Sequence, residues 1–274
     1  MKYFPDSDAA RRMTTEELRD RFLFTGLFKP GQVNLEITDL DRLVVGGAVP
    51  LEKPLTLEPH PELRAEYFTE RRELGILNIG GGGDVSLDGK SYPLGKRDVL
   101  YVGRGCKEIK FSSKNAKEPA RYYLVSYPAH ASHPTTVVTA AESVGNEIGS
   151  AEKANRRRIA KYVHAEGAKS GQLVMGVTQL ETGSVWNTMP AHTHGRRTEI
   201  YLYFDIPADA IVVHLMGEPS ETRSIIVRDG EAVLSPGWSI HAGCGTSAYS
   251  FCWAMGGENQ DYADMDPVQM SELR

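Results

Sequence analysis

Residues 190–204 read PAHTHGRRTEIYLYF, and this stretch decides the class of fold. Its end, from Ile200 to Phe204, consists of the aliphatic and aromatic residues that prefer strands. His192 and His194 are two residues apart, so on an extended chain their side chains point to the same side. The stretch therefore predicts two short β segments joined by a turn, at which Gly195 gives the backbone its freedom.

Short runs rich in Val, Ile, Tyr and Leu recur along the chain, separated by clusters of Gly, Pro, Asp and Asn. Besides the strand at Ile200–Phe204, we predict strands at Leu43–Val49, Gly75–Ile79, Val85–Leu87, Val99–Val102, Tyr122–Tyr127, Leu173–Leu180, Ile211–Met216, Ile225–Val227 and Phe251–Met255. This spacing of short strands is typical of an all-β barrel or sandwich and not of alternating strands and helices.

Helix signals are found at the two ends of the chain. Thr14 followed by Glu17 forms the capping box of a predicted helix over residues 14–23. Asp266 followed by Pro267 predicts the start of a second, short helix near the C-terminus. Short helices are therefore expected to flank the β structure.

A weak internal repeat indicates two domains. RRELGIL at 71–77 and DVLYVG at 98–103 resemble RRTEIYLY at 196–203 and AVLSPG at 232–237. Two similar barrels in tandem explain such a repeat. The predicted organisation is an N-terminal helical arm at 1–24, a first cupin-like barrel without metal at 25–135, a linker at 136–158, a second cupin barrel with metal at 159–256, and a C-terminal tail with a short helix at 257–274.

The composition argues against several classes of protein. The 274 residues have a formal net charge of −5, whereas a nucleic-acid-binding protein presents a basic face, so we expect no nucleic-acid partner. Nowhere do 18 apolar residues run together, and the N-terminus has no apolar segment, so neither a membrane span nor a secretory signal is expected. Three cysteines, an odd number, favour a reducing, cytoplasmic location.

Four residues from two separate segments form the predicted metal site, which holds one divalent metal per chain: His192, His194, Glu199 and His241. Three imidazoles and one carboxylate make a donor set that suits zinc, manganese, iron or nickel. Glu199 lies at odd separations from both of the first two histidines, so it reaches their side of the chain only if the segment between them turns. His241 follows the turn signal Pro236-Gly237, which is well placed to project it from another hairpin.

The alternative interpretation is a set of core or surface histidines that bond only to the backbone. A pair of histidines two residues apart is weak evidence in a chain with 8 histidines, but its coincidence with Glu199 and His241 favours the metal site. The first domain has no counterpart, because Glu70-Arg71-Arg72-Glu73 stands near the matching strand and Lys107 stands where His241 would fall. We expect that domain to bind no metal.

The order HTH, then Glu, then Pro-Gly-x-x-x-His resembles the two motifs of the cupin superfamily. Longer segments are similar to the 5-keto-4-deoxyuronate isomerase family, the 4-deoxy-L-threo-5-hexosulose-uronate ketol-isomerases of pectin breakdown. They cover most of the chain from about residue 20 onward and include ERRELGILNIGG (70–81), RDVLYVGRG (97–105), WNTMPAHTHGRRTEIYLYF (186–204), GEPSETR (217–223), SPGWSIHAG (235–243) and GGENQDYADMD (256–266).

The resemblance implies tandem jelly-roll barrels, a bound zinc ion and a homohexamer. It also implies that His192, His194, Glu199 and His241 are the metal ligands. The chain departs from the family at Gly195, where an acidic residue is expected after the second histidine.

The resemblance further implies conversion of 5-dehydro-4-deoxy-D-glucuronate to 3-deoxy-D-glycero-2,5-hexodiulosonate, a sugar-acid isomerisation in which a metal acts as a Lewis acid. The proton-transfer base is left open between a hydroxide on the metal and a nearby side chain. Candidate substrate-binding residues are Arg157, Arg197 and Arg223 for the carboxylate, with Tyr201 and Tyr203 as candidate pocket residues on the same face as Glu199.

Two other functions fit the same ligands. One is a cupin dioxygenase that uses iron, and the other is a non-catalytic cupin that binds sugar acids. The long family-like segments outside the metal site favour the isomerase, because a bare metal-binding barrel has no need of them.

Overall fold

The computed structural model describes residues 1–274, and β-strands dominate it. Two α-helices, α1 (Ser7–Ala10) and α2 (Thr15–Phe22), lie near the N-terminus, and 3-10 helices are found at Leu40–Arg42, Pro61–Leu63 and Met270–Glu272. The first strands in chain order are β1 (Leu23–Phe24), β2 (Val33–Ile37), β3 (Val44–Ala48), β4 (Leu55–Thr56), β5 (Arg72–Asn78), β6 (Gly83–Leu87), β7 (Lys90–Leu94), β8 (Val99–Val102), β9 (Ile109–Ser113), β10 (Tyr122–Pro128) and β11 (Thr136–Val138). The remaining strands are β12 (Asn146–Ile148), β13 (Arg157–Val163), β14 (Val174–Leu180), β15 (Trp186–Asn187), β16 (His192–Thr193), β17 (Arg197–Phe204), β18 (Val212–Glu218), β19 (Glu221–Val227), β20 (Glu231–Ser235), β21 (Ala242–Gly245), β22 (Ser250–Gly257) and β23 (Asp266–Pro267).

The chain forms two compact units, each drawn from separate stretches of sequence. Unit 1 contains Met1–Lys2, Gly26–Val144 and Tyr162–Met175. Unit 2 contains Tyr3–Thr25, Gly145–Lys161 and Gly176–Arg274.

Unit 1 is built from two antiparallel sheets. The larger has the strand order β11-β8-β5-β10-β3-β2, and the smaller has the order β4-β9-β6-β7. Leu74 and Ile76 of β5 lie in one apolar core with Val85 of β6 and Phe111 of β9, all of them 0% exposed. The core of this unit therefore lies between its two sheets, as in a β-sandwich.

Unit 2 has a seven-stranded sheet of order β1-β20-β17-β22-β14-β13-β12, a four-stranded sheet of order β15-β21-β18-β19 and the small pair β16-β23. The hydroxyl of Tyr203 on β17 lies 2.7 Å from Nδ1 of His214 on β18, so the interior is polar here. The side chains of β17 that share this face include Glu199 and Tyr201.

The N-terminal arm belongs to unit 2. The predicted capping box of α2 is present: the amide of Thr14 donates to Glu17 Oε2 at 2.7 Å, and the amide of Glu17 donates to Thr14 Oγ1 at 3.3 Å. The predicted first helix is thereby confirmed. After α2, Leu23 pairs with Val233, which makes β1 an edge strand of the large sheet.

The structure confirms the predicted all-β class, but it differs from the prediction in two places. The sheets of each unit face each other without closing into a single barrel. The predicted helix beginning at Asp266-Pro267 is wrong, because these two residues form β23, and only a 3-10 helix over Met270–Glu272 follows. Pairing with His192 and Thr193 outweighs the local cap signal.

Candidate metal centre

The four predicted ligands converge inside unit 2. His192 lies on β16, and a turn at residues 195–196 separates His194 from β17, which carries Glu199. A second turn, in which the amide of Ser239 donates to the carbonyl of Pro236 at 2.9 Å, sets His241 directly before β21. The turn predicted between the histidine pair and Glu199 is therefore present.

The donor atoms lie at spacings that suit one ion. Nε2 of His192 is 3.2 Å from Nε2 of His194 and 3.0 Å from Nε2 of His241. Oε2 of Glu199 is 2.9 Å from Nε2 of His194 and 2.8 Å from Nε2 of His241. Donors bound at about 2.0–2.2 Å to one ion are themselves about 3 Å apart, so these distances fit a shared metal.

The orientation of the rings supports this reading. Nδ1 of His194 lies 2.8 Å from the carbonyl oxygen of Asp264, and Nδ1 of His241 lies 3.4 Å from that of Ser239. A carbonyl can only accept, so in each neutral ring the hydrogen belongs on Nδ1 and Nε2 presents a lone pair to the centre. Metal-binding histidines are commonly held in this tautomer by a carbonyl.

The electrostatics of the cluster also favour a cation. Burial raises the pKa of Glu199, but the neighbouring His241 and His194 outweigh it, and the pKa lies below its usual range. Burial lowers the pKa of His194, yet the hydrogen bond and charge of Glu199 raise it overall. For His192, burial and then the charge of His241 lower the pKa to about 3. The centre therefore favours positive charge but cannot place a proton on every ring.

Lone pairs that face one another around a buried carboxylate are repulsive unless a cation lies among them. His194, Glu199 and His241 are buried, so water does not relieve this repulsion. The donor set thus fits a divalent metal ion, and it is the one cluster of three or more potential metal-binding side chains in the chain. All four residues of this cluster belong to unit 2.

A cavity of about 220 Å³ opens beside this cluster. Aromatic and aliphatic side chains line most of it, and the polar groups are few, as in many small-molecule sites. Its walls include His192, His194, Glu199, Arg157, Ile148, Ile159, Thr178, Thr188, Pro190, Tyr201, Phe251, Trp253, Met255, Tyr262 and Met265.

Of the three arginines predicted to bind substrate, only Arg157 lines this cavity. Arg197 is 2% exposed, and its guanidinium donates to the carbonyls of Asp261 and Asp264 at 2.6 and 2.8 Å. Arg223 donates to the carbonyls of Ala10, Arg11 and Met13, and so holds the N-terminal arm. Arg157 therefore lies at the cavity, whereas the guanidinium groups of Arg197 and Arg223 are hydrogen-bonded to backbone carbonyls elsewhere.

The two predicted tyrosines differ in the same way. The hydroxyl of Tyr201 lies 2.9 Å from Thr188 Oγ1, and its side chain lines the cavity. Tyr203 is buried deeper, where its hydroxyl meets His214, and it does not line the cavity. Burial raises the pKa of both phenols well above the ordinary range, so both remain protonated.

Sequence reasoning assigned no role to several side chains of the site. Trp253, Tyr262 and Met265 form walls of the cavity although they lie far along the chain from the histidine pair. Asp264 supplies the carbonyl that orients His194. The segment GGENQDYADMD (256–266) carries the family resemblance, but nothing in its composition predicts where the chain folds back.

Comparisons with known proteins agree with this arrangement. A family model described as the KduI/IolB family matches residues 28–270. A "4-deoxy-L-threo-5-hexosulose-uronate ketol-isomerase" of Opitutus terrae is 53% identical over 275 residues, which cover 100% of this chain and 99% of the relative. A protein of the same name from Caldicellulosiruptor bescii is 51% identical over 264 residues, 96% of each chain. These matches confirm the predicted family resemblance.

Solved structures show the same fold at low identity. An IolB-like protein from Salmonella typhimurium LT2 superposes with a TM-score of 0.74 and 13% identity, covering 90% of this chain and 96% of the other. A variant of oxalate decarboxylase from Bacillus subtilis superposes with a TM-score of 0.56 and 13% identity, covering 90% and 79%. The predicted jelly-roll class is thereby confirmed.

Proposed function

The chain belongs to the KduI/IolB family, and we propose that it is a 4-deoxy-L-threo-5-hexosulose-uronate ketol-isomerase of pectin breakdown whose metal is held by His192, His194, Glu199 and His241. The observation that carries this proposal is the convergence of three imidazole nitrogens and one carboxylate oxygen within 4.8 Å of one another. Relatives with this enzyme's name match 96–100% of the chain at 51% and 53% identity.

The site suits the chemistry of a ketol isomerisation. The reaction moves a hydrogen between neighbouring carbons and exchanges a carbonyl with a hydroxyl, so negative charge develops on oxygen. A divalent ion bound here would polarise that oxygen as a Lewis acid. Because the chain supplies one carboxylate and three neutral rings, the loaded site keeps a net positive charge toward the substrate.

Arg157 is the side chain that we assign to the substrate carboxylate. It is the only arginine or lysine that lines the cavity, whose other walls are mainly apolar. Burial lowers the pKa of its guanidinium, yet an arginine remains charged at neutral pH. An unpaired carboxylate is costly to bring into such a pocket, so Arg157 favours a uronate over a neutral sugar.

Tyr201 is the residue that we assign to a substrate oxygen. Its side chain lines the cavity. Its hydroxyl lies 2.9 Å from Thr188 Oγ1 and stays protonated, so it can donate a hydrogen bond to an oxygen on which charge develops. Its contribution is therefore to orient and stabilise. The ring of Tyr203 packs next to that of Tyr201, with their centroids 6.0 Å apart.

The metal identity and the biological setting form a second part of the proposal. Zinc is supported by the nitrogen-rich donor set and by the closely spaced ligands. A cytoplasmic homohexamer that binds neither nucleic acid nor membrane is supported by the three unpaired cysteines, the acidic net charge and the sequence resemblance. No helix of the chain is both long and apolar enough to cross a membrane.

The decisive experiment is a conversion assay on purified protein. The unsaturated-uronate breakdown product is added, and ketose formation is followed by NMR before chelation, after exhaustive chelation and after return of Zn²⁺. We expect chelation to abolish conversion and zinc to restore it. Full conversion by protein shown to be metal-free by mass spectrometry would overturn the metal-dependent mechanism.

The same assay separates the two alternative functions. A dioxygenase would consume oxygen when substrate is added and would contain iron, whereas an isomerase consumes none. A non-catalytic sugar-acid-binding cupin would give a calorimetric binding signal and no new product.

A further inference from the structure

The segment that follows β22 forms a strap against the turn at residues 195–196. We define the strap as residues 258–267, which run from the end of β22 to β23. Its last two residues pair with β16, so that Pro267 lies opposite His192. Two of its side chains, Tyr262 and Met265, form part of the cavity wall. The strap thus forms part of the cavity wall and pairs with β16, the strand that carries His192.

Arg196 fastens the strap to the turn. Its Nε donates to both carboxylate oxygens of Asp264, at 2.8 and 2.9 Å, and one terminal nitrogen lies 3.1 Å from both oxygens of Asp266. Asn259 donates to the same Asp264 carboxylate at 2.6 Å. A planar guanidinium that engages two carboxylates fixes their positions more closely than a point charge could.

Asp264, which Arg196 holds, also orients His194, a proposed metal ligand. The backbone carbonyl of Asp264 lies 2.8 Å from Nδ1 of His194 and accepts a hydrogen bond from Arg197 at 2.8 Å. Movement of Asp264 would therefore release the ring that presents Nε2 to the centre. It would also move Tyr262 and Met265, since they lie on either side of Asp264 in the chain.

From these contacts we propose that Arg196, acting through Asp264, is a positioning residue for both the metal centre and the substrate cavity. This inference rests on the proposed function for its substrate, but its metal-binding part does not. An exposed ion pair with no such role would affect stability slightly and nothing else. Arg196 differs from such a pair because the carboxylate it grips belongs to the residue that orients His194.

Arg196→Gln is the test, and Arg11→Gln is its matched control. Arg11 is also a partly exposed arginine of unit 2 with two carboxylate partners, Asp8 and Glu218, but it lies on the N-terminal arm. Zinc affinity is measured by competition with a chromophoric chelator. We expect Arg196→Gln to weaken zinc binding by about 10- to 100-fold, as loss of an orienting contact does elsewhere. Arg11→Gln should leave the affinity unchanged, and both variants should show a similar small change in Tm.

Two further measurements report on the positions of the metal ligands and of the cavity wall. The visible spectrum of the Co²⁺-loaded protein reports coordination geometry, and it should change in Arg196→Gln but not in Arg11→Gln. KM should rise more than kcat falls, because the cavity wall moves together with the strap. Arg196→Lys should recover only part of the affinity, since an ammonium cannot engage two carboxylates as a planar fork does.

Asp264→Asn provides a second test in case Arg196→Gln does not fold. It keeps the backbone carbonyl and nearly the same shape but removes the charge that Arg196 grips, so it should weaken zinc binding in the same direction. Zinc affinity, cobalt spectrum and KM that all equal those of the wild type in a folded variant would overturn the inference. Absence of zinc binding by the wild type would instead overturn the proposed function.

Discussion

Two buried glutamates, one on an inner strand of each unit, have opposite surroundings. Glu73 on β5 accepts hydrogen bonds from the backbone amides of residues 171, 172 and 173 and from the hydroxyl of Tyr101. Glu199 on β17 faces imidazole nitrogens of His194 and His241. Fixed donors surround the first carboxylate, whereas the second faces imidazole nitrogens that can present lone pairs to a metal ion. Burial of a carboxylate therefore does not identify a site, but the nature of its neighbours does.

A one-residue offset explains how two similar strands come to differ. Both β5 and β17 begin at an arginine, Arg72 and Arg197, whose guanidinium donates to backbone carbonyls. Glu73 follows its arginine by one residue and Glu199 follows by two. Successive side chains of a strand point to opposite faces, so Glu199 faces the interior of unit 2. Glu73 faces away from the core that contains Leu74.

The largest expected effect comes from the carboxylate that faces the histidines. Glu199→Gln removes the negative charge of a proposed ligand at nearly constant shape. We therefore expect loss of bound metal and a fall in kcat/KM of about 10³-fold or more, since Lewis-acid stabilisation contributes several kcal/mol. Metal content by mass spectrometry and the NMR conversion assay measure the two losses. A variant that keeps both its metal and its rate would remove Glu199 from the site.

The corresponding change in unit 1 should affect stability and leave the metal in place. Glu73→Gln places an amide nitrogen among backbone donors, and each donor left without an acceptor costs about 1–3 kcal/mol. We expect a lower midpoint in urea but one metal per chain in the folded protein. If Glu73→Gln lost metal as readily as Glu199→Gln, the contrast between the two carboxylates would be false.

Acid sensitivity should also depend on unit 2, because this unit contains His214, a histidine that is 0% exposed. Burial lowers the pKa of His214 to about 3, from an ordinary value of 6.5. Below about pH 6.5 the unfolded chain binds a proton that the folded chain does not, so the free energy of unfolding decreases as pH falls toward 3, by up to about 1.4 kcal/mol per pH unit. In metal-free protein, His214→Gln should flatten this decrease in urea titrations between pH 7 and 5. If the free energy of unfolding kept the same dependence on pH in the variant, that dependence could not be assigned to His214.

The smallest expected effect is at Gly195, in the turn at residues 195–196. Its φ is not positive, and an added Cβ would come no closer than 3.5 Å to its nearest neighbour, Asp266 Oδ2. Gly195→Ala should therefore change stability by no more than about 0.5 kcal/mol and leave zinc affinity intact. Thermal unfolding and the chelator competition check both expectations, and a tenfold loss of affinity would show that the turn does need glycine.

Much of this architecture could be predicted from local signals. The capping box of Thr14 and Glu17, the strand that ends at Phe204 and the turn before Glu199 each depend on a few neighbouring residues, and each is present. The strap could not be predicted, because its contacts join residues about 70 positions apart. The same limit applies to Arg197 and Arg223. Their charge made them candidates for substrate binding, but backbone carbonyls distant in sequence occupy them.

Local sequence also does not predict which face of each repeated strand points into the core. The repeat aligns Val99-Leu100 with Val233-Leu234, and in both units the leucine pairs with an isoleucine of the neighbouring strand. Leu100 nevertheless lies in the core of unit 1, whereas Leu234 points away from the face of Glu199. Sequence likeness fixes which strands pair, but the packing of each sandwich decides which side faces inward.

The pairing of Leu23 with Val233 has a consequence for synthesis on the ribosome. Translation at about 5–20 residues per second means that the N-terminal arm is made about 10–40 s before its partner strand exists. Phe22 and Phe24, both fully buried in the finished protein, remain exposed during this interval. Chaperones that hold nascent chains would therefore meet the first 25 residues unshielded while the rest of the chain is still being made.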